Sequence, residues 1–91
     1  MEELNRIPFM VEDNHYEVRI LYDGKVINVA VFSHNRPATG YRHHVQLPKN
    51  IEPKTIIKTD IFHETVELAK SDIIEKRWER LKKYFGENYN E

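Results

Sequence analysis

One short segment concentrates the side chains best suited to acid–base and phosphate chemistry. It reads GYRHHVQLP and covers residues 40–48. A histidine exchanges a proton near neutral pH, and an arginine offers a planar fork that binds phosphate. Arg42, His43 and His44 are therefore the candidate catalytic residues.

The residues around this triplet extend the candidate site. Residues 25–50 contain no acidic side chain, although the whole chain has a net charge of −1. We expect this stretch to form a local positive patch that can contact a polyanion. The candidate substrate-binding residues are His34, Arg36, Tyr41, Gln46 and Lys49.

Strand alternation predicts where these side chains point. Val45 is apolar and should face the core, which places Tyr41 and His43 on the same side. Arg42 and His44 should then point outward and form the polar outer face of the strand. Because adjacent histidines in a strand diverge, they cannot chelate one metal ion, and we expect neither a metal nor another cofactor.

A second histidine segment, HETVE from residue 63, resembles the start of a zinc-peptidase helix. That motif needs another histidine four residues later, and Glu67 occupies the position. We therefore expect a solvated surface here. The chain also has no cysteine, which excludes disulfides and thiolate metal sites.

The clearest structural signal is HYEVRILYDGKVINVAVF, residues 15–32. Asp23 and Gly24 are typical of a two-residue turn, and the alternating apolar residues on both sides predict a β-hairpin. The expected facing pairs are Tyr22–Lys25, Ile20–Ile27, Val18–Val29 and Tyr16–Val31. A third strand is expected over residues 41–47, and at least one more around Ile56–Ile61.

The C-terminal third predicts an amphipathic helix over residues 71–86. Its apolar residues recur at steps of four, three and four, and we expect this row to face the core. The row consists of Ile74, Trp78, Leu81 and Phe85. Ser71 is the expected N-cap and Gly86 the expected stop, followed by a frayed tail over residues 87–91. The pattern also allows an earlier start near Thr65.

Strands followed by a helix predict an α+β fold. We expect a small antiparallel sheet of three to five strands, starting with a hairpin, packed against a C-terminal amphipathic helix. The length corresponds to a single domain, residues 1–91. The N-terminus lacks the basic start and apolar run of a signal peptide, and no run of apolar residues reaches membrane-spanning length. A cytoplasmic location without a membrane partner is therefore expected.

The order of these features resembles TumE-like toxins, the toxin half of small toxin–antitoxin modules. The matching features lie within about residues 15–85: a hairpin, a loop with a basic residue (SHNRPATGY), a histidine-rich strand (RHHVQLP) and a C-terminal helix (SDIIEKRWERLKKYF). The resemblance implies a cytoplasmic prokaryotic protein that interferes with RNA or translation, and a protein partner that neutralises it. Arg42, His43 and His44 carry over.

Two classes of function remain open. The leading hypothesis is a module that acts on RNA or another phosphate-rich partner through residues 34–49. As an enzyme, it would be a metal-independent ribonuclease in which a histidine removes the 2′-OH proton and Arg42 stabilises charge at phosphorus. The alternative is a non-catalytic protein-interaction domain, an inhibitor or a complex subunit, that docks through an exposed sheet face or edge, or forms a homodimer. Its supporting feature is an outward-facing apolar set: Leu21, Val26 and Ala30.

Overall fold

The protein is described by a computed structural model over residues 1–89, with side chains through Gly86. The strands are β1 (Glu2–Val11), β2 (Asn14–Tyr22), β3 (Val26–Ser33), β4 (Arg36–Pro37) and β5 (His43–Gln46); a 3-10 helix (Pro53–Lys58), α1 (Asp60–Ile74) and α2 (Arg77–Tyr89) follow. The strands form one antiparallel sheet in the order β1-β2-β3-β4. β5 pairs with the first half of β3, on the edge that β4 occupies at the other end. The predicted α+β class is confirmed.

The core lies between one face of the sheet and α1. Alternate residues of β2, β3 and β5 reach this layer because successive side chains in a strand point to opposite faces. From α1 come Phe62, Val66 and Ala69, whose spacing of four and three places them on one side of a helix. The buried sheet residues are Val18, Ile20, Ile27, Val29, Val31 and Val45. Full burial of such a side chain contributes about 1.5–3 kcal/mol, so this layer holds α1 on the sheet.

The predicted β2–β3 hairpin is present, but its predicted register is wrong by two residues. The structure pairs Tyr22 with Ile27 rather than with Lys25. The side chain of Asp23 accounts for the difference, because its Oδ1 accepts hydrogen bonds from the backbone N–H groups of Lys25 and Val26 at 2.9 and 3.0 Å. These bonds stabilise a longer turn. A shift of two residues keeps every side chain on its predicted face, so the core set is unchanged.

We expect Asp23 to make the hairpin sensitive to acid. The backbone N–H groups of Val26 and Lys25 lower the pKa of its carboxyl below the ordinary 3.8. A lowered pKa stabilises the folded state above that value, and the contribution is lost as the pH falls through the lowered pKa. The urea midpoint of the wild type should exceed that of Asp23→Asn near neutral pH, and the two should converge in acid. A gap that persists in acid would contradict the assignment.

β1 is a strand that the hairpin prediction does not include. Ile7, Phe9 and Val11 alternate as strand residues do, and this pattern was the available signal. β1 pairs only with β2 and forms an edge of the sheet. Pro8 suits that position, because proline has no N–H to offer to a neighbouring strand.

The strand expected around Ile56–Ile61 is wrong. Residues 53–58 form the 3-10 helix, which has a proline at its start, and α1 begins at residue 60. Thr59 is the N-cap of α1, since its Oγ1 accepts a hydrogen bond from the N–H of Phe62 at 3.2 Å. The threonine content that favours a strand thus supplies a helix cap instead.

The C-terminal segment forms two helices where the sequence predicts one. Ser71 is not an N-cap, because it lies within α1 and its hydroxyl donates to the carbonyl of Leu68 at 2.8 Å. The helix is interrupted between α1 and α2 at Lys76, whose φ of 56° lies in the left-handed region. No glycine or proline marks that break, so the sequence carries no stop signal there. Gly86 does not end α2, which continues beyond it.

α2 extends away from the body of the protein. The molecule measures 50 × 31 × 22 Å with a radius of gyration of 14.5 Å, whereas a compact chain of this length has about 12 Å. Leu81 and Phe85 are 38% and 45% exposed. The prediction that this apolar row faces the core is therefore wrong for Leu81 and Phe85, and it is also wrong for Ile74, which is 59% exposed at the end of α1. Of the tail predicted over residues 87–91, the last two residues lie outside the described residues.

Candidate functional site

β5 presents its side chains as the alternation predicts. Tyr41 and His43 are half-buried on the core side and Val45 is buried, whereas Arg42 and His44 are exposed on the outer side. The predicted orientation is confirmed. The two histidines point to opposite faces of the sheet, so they cannot act on the same substrate atom.

Three elements meet at Asp72, a residue that the sequence did not single out for the site. Asp72 lies in α1 and is 3% exposed. Its Oδ2 accepts a hydrogen bond from Nε2 of His43 at 2.6 Å, and its Oδ1 accepts one from Nη1 of Arg77 at 2.8 Å. We call Tyr41, His43, Asp72 and Arg77 the Asp72 cluster. It connects β5 to α1 and to the first turn of α2.

Burial and charge act together in the Asp72 cluster. Burial raises the pKa of the Tyr41 hydroxyl, and the negative charge of Asp72 raises it further. The ring of Tyr41 meets those of His43 and Trp78 edge-on, with centroids 5.8 Å apart in both cases. Hydrogen bonding to Asp72 raises the pKa of the Arg77 guanidinium above its ordinary value. A buried carboxylate is costly unless it is paired and hydrogen-bonded, and here Arg77 supplies the opposite charge and His43 a second hydrogen bond.

The His43–Asp72 pair has the geometry that orients an imidazole for acid–base chemistry. The other ring nitrogen of His43, Nδ1, makes no hydrogen bond to any of residues 1–86, whose side chains are described. The hydroxyls of Ser71 and Thr39 donate to backbone carbonyls instead, those of Leu68 and Tyr41. Neither hydroxyl is therefore bonded to the His43 imidazole, which would have to remove its proton to make it a nucleophile. The pair therefore acts in the fold as a connection between elements, and a catalytic role for His43 stays a prediction.

Two of the predicted binding residues lie far from β5. His34 and Arg36 are exposed at the β3–β4 turn, where His34 has a φ of 51°. On β3, Ser33 pairs with Arg36 and Asn28 pairs with His44. Residues 28 and 33 are five positions apart, which corresponds to about 17 Å along a strand. The turn and the outer face of β5 cannot contact the same phosphate.

The remaining predicted residues form a smaller cationic surface. Arg42, His44 and Gln46 are exposed on the outer face of β5, and Lys49 follows in the next loop. Arg42 donates from Nη1 to the Sδ of Met1 at 3.6 Å. The structure thus divides the predicted site into three parts: the outer face of β5, the Asp72 cluster, and the β3–β4 turn.

The outer face of the hairpin is less apolar than the sequence indicates. Ala30 is buried, and Leu21 and Val26 are only half-exposed. Arg19 lies over the ring of Phe32 at 4.2 Å and covers part of this face with charge. A partner that docks by apolar contact finds little surface here.

An exposed apolar surface lies on α2 instead, where the sequence predicts core. Trp78, Leu81, Tyr84 and Phe85 follow one another at helical spacing, and we call them the α2 stripe. Trp78 packs against Tyr41 and Gly40 at the start of the helix, while the later residues face solvent. The available signal was the charge of the segment, since a basic amphipathic helix is typical of a helix that binds a partner.

A cleft of about 270 Å³ adjoins the α2 stripe. Tyr16 and Ala38 line it from the sheet, and Trp78 lines it from α2. Asp72 and Lys82 also reach it, so the Asp72 cluster and the stripe border the same space. The volume is below the roughly 300–1,000 Å³ of most small-molecule sites, and it suits a single side chain better than a cofactor.

Comparison of the chain with protein-family models, with curated proteins and with solved structures finds no match. The resemblance to TumE-like toxins therefore stays a prediction. Among the side chains that the structure describes, residues 1–86, no three His, Asp or Glu residues are placed to hold a metal ion. None of the helices in this part of the chain is long and apolar enough to cross a membrane.

Proposed function

We propose that this chain is a non-catalytic protein-interaction module that docks a partner through α2. The observation that carries the proposal is the α2 stripe, an apolar helix face that is open to solvent beyond its first turn. Single exposed apolar residues are common on protein surfaces. A row of them along one helix face is typical of a helix that lies in the groove of a partner.

The anchoring of α2 supports a docking role. Arg77 is bonded to Asp72, and Trp78 packs against Gly40, so the first turn is held while the rest of the helix projects. A helix that is already formed and oriented loses less entropy on binding than a disordered segment does. Burial of Leu81 in a partner contributes about 1.5–3 kcal/mol at most. Aromatic residues such as Phe85 are frequent energetic centres of interfaces.

The same geometry gives less support to an RNA-acting module. His43 is bonded to Asp72 on the inner face, whereas Arg42 and His44 lie on the outer face. The groups that would bind and cleave a phosphodiester together are therefore on different surfaces. RNA binding by the outer face of β5 is an alternative that the following experiments distinguish.

A photo-reactive p-benzoylphenylalanine placed at Leu81 is expected to crosslink one protein in native lysate. Leu68 of α1 provides the matched control position, because it is also a leucine on a helix and is 44% exposed. Added purified wild-type protein should compete for the partner and abolish the crosslink. Leu81→Asp should compete at least about tenfold less well, since a carboxylate buried in an apolar groove loses well over 1.4 kcal/mol. Circular dichroism of Leu81→Asp checks that the fold is retained.

Three results would overturn the proposal. Equal crosslinking from positions 81 and 68 would show that the α2 stripe is not a specific surface. Equal competition by the wild type and Leu81→Asp would show that the apolar contact contributes nothing. A crosslinked product that is RNA would assign α2 to nucleic acid.

A further inference from the structure

We infer that the partner of α2 is a protein with an apolar groove rimmed by carboxylates, and that it is not a second copy of this chain. The inference rests on the proposed function, because it names the chemistry of the partner at the same surface. It is drawn from the charges beside the α2 stripe.

Two exposed cations, Arg80 and Lys82, flank the α2 stripe, whereas Lys83 lies on the opposite side of the helix. Arg80, Lys82 and Lys83 make no ion pair with any residue in the described part of the chain. Among the α2 residues whose side chains are described, Glu79 is the single acid. The Nζ of Lys82 lies 5.8 Å from the centre of the Trp78 ring, directly beside the stripe. A partner therefore meets an apolar centre with a positive rim.

Arg77 does not contribute to that rim. Asp72 and Glu75 bind its guanidinium at 2.8 and 2.7 Å. Its charge is paired with carboxylates of α1 and of the residue that caps α1, although the Arg77 side chain is 37% exposed. Arg80, Lys82 and Lys83 are exposed and lie beyond Arg77 along α2, where the apolar surface is also exposed.

These charges oppose self-association through α2. If two copies of the stripe face each other, the flanking cations Arg80 and Lys82 of one copy approach those of the other. Each like-charge contact opposes association, and more strongly where water is excluded. Carboxylates around the groove of a different protein reverse the sign of every contact and accelerate the encounter.

The adjoining cleft does not by itself favour an acidic partner. Its lining includes the carboxylates of Glu12, Asp72 and Glu79 as well as the cations Lys76 and Lys82. The exposed cations of α2, and not the cleft, therefore carry the inference about charge.

Two other kinds of anionic partner, RNA and membrane surfaces, match the α2 stripe less well. Protein–RNA contacts are polar and charged, and RNA offers no apolar groove that buries Leu81. A membrane-surface helix buries a complete apolar face. On α2, Trp78 is already packed against Gly40 and Tyr41.

Charge reversal at the rim tests the inference. The test variant carries Arg80→Glu, Lys82→Glu and Lys83→Glu, with p-benzoylphenylalanine at residue 81 of the full chain. The matched control reverses three exposed lysines outside α2, Lys25, Lys54 and Lys58, and so has the same net charge. In native lysate, the crosslink yield of the test variant should be at least about tenfold lower than that of the starting protein. The control should stay within about twofold of the starting protein, because screening weakens distant charges.

The outcomes separate this inference from the proposed function. If position 81 still crosslinks one protein after charge reversal, the carboxylate rim is wrong but docking through α2 stands. If position 81 crosslinks nothing beyond position 68 before the reversal, both fail. A crosslink to a second copy of this chain overturns the inference alone. Binding of the wild type to single-stranded RNA or to phosphatidylserine vesicles, lost in the test variant and kept in the control, also overturns it.

Discussion

Replacement of Asp72 by alanine is expected to lower the free energy of unfolding by about 2–3 kcal/mol, from a total of about 5–10 kcal/mol for a domain of this size. The change removes the carboxylate oxygens that lie 2.6 Å from His43 and 2.8 Å from Arg77. Loss of one partner of a fully buried pair costs about 3–5 kcal/mol. We expect the smaller loss of about 2–3 kcal/mol here because the side chains of His43 and Arg77 are 24% and 37% exposed and so remain partly solvated. Urea denaturation measures the difference.

Glu75→Ala is the control for this prediction. Glu75 also binds Arg77, at 2.7 Å, but its side chain is 51% exposed. Exposed ion pairs contribute little to stability because water screens them. Glu75→Ala should therefore lower the free energy of unfolding by only a small fraction of the loss caused by Asp72→Ala. Equal losses at the two positions would contradict the central place of Asp72.

Tyr41 provides a second readout that a general loss of stability does not mimic. Burial raises its pKa above the ordinary 10.0, and the charge of Asp72 adds to the effect. A raised pKa stabilises the folded state below the ordinary value, and the contribution disappears as the pH rises through the pKa of the folded protein. In Asp72→Asn, Tyr41 should ionise at a lower pH. The ultraviolet titration of each protein, less that of its Tyr41→Phe version, isolates this residue. An unchanged titration would contradict the contact.

Gly40→Ala is the second substitution with a large expected effect. A methyl group at residue 40 would lie closer than 3.0 Å to three carbons of the Trp78 ring. The ring already contacts Tyr41, so it must shift toward the adjoining cleft or the first turn of α2 must move. Overpacking of this kind costs about 1–3 kcal/mol. Urea denaturation again measures the free energy of unfolding.

A double-mutant cycle identifies the cause of that loss. In a Trp78→Ala background the ring is absent, and Gly40→Ala should then change the stability by less than about 0.5 kcal/mol. If the full cost persists without the ring, the requirement for glycine comes from the backbone at residue 40 and not from the contact with α2.

The sequence by itself determines which face each strand residue occupies. Side chains in a strand alternate strictly, so the apolar residues of β2, β3 and β5 identify the core face without knowledge of the partners. This is why a hairpin register that is wrong by two residues still predicts the correct core. The same alternation correctly separates His43 from His44, and it leaves a readable signal for β1 in Ile7, Phe9 and Val11.

Only the tertiary structure decides what covers the C-terminal apolar row and what neutralises Asp72. A helical period shows that one face is apolar, but it does not show whether that face meets the core or solvent. The break at Lys76 that sends α2 outward has no glycine or proline to announce it. Asp72 is buried because His43, 29 positions away, arrives from β5 and Arg77 returns from α2. A charge is buried only where partners converge, and convergence over such distances depends on long-range packing that local patterns do not encode.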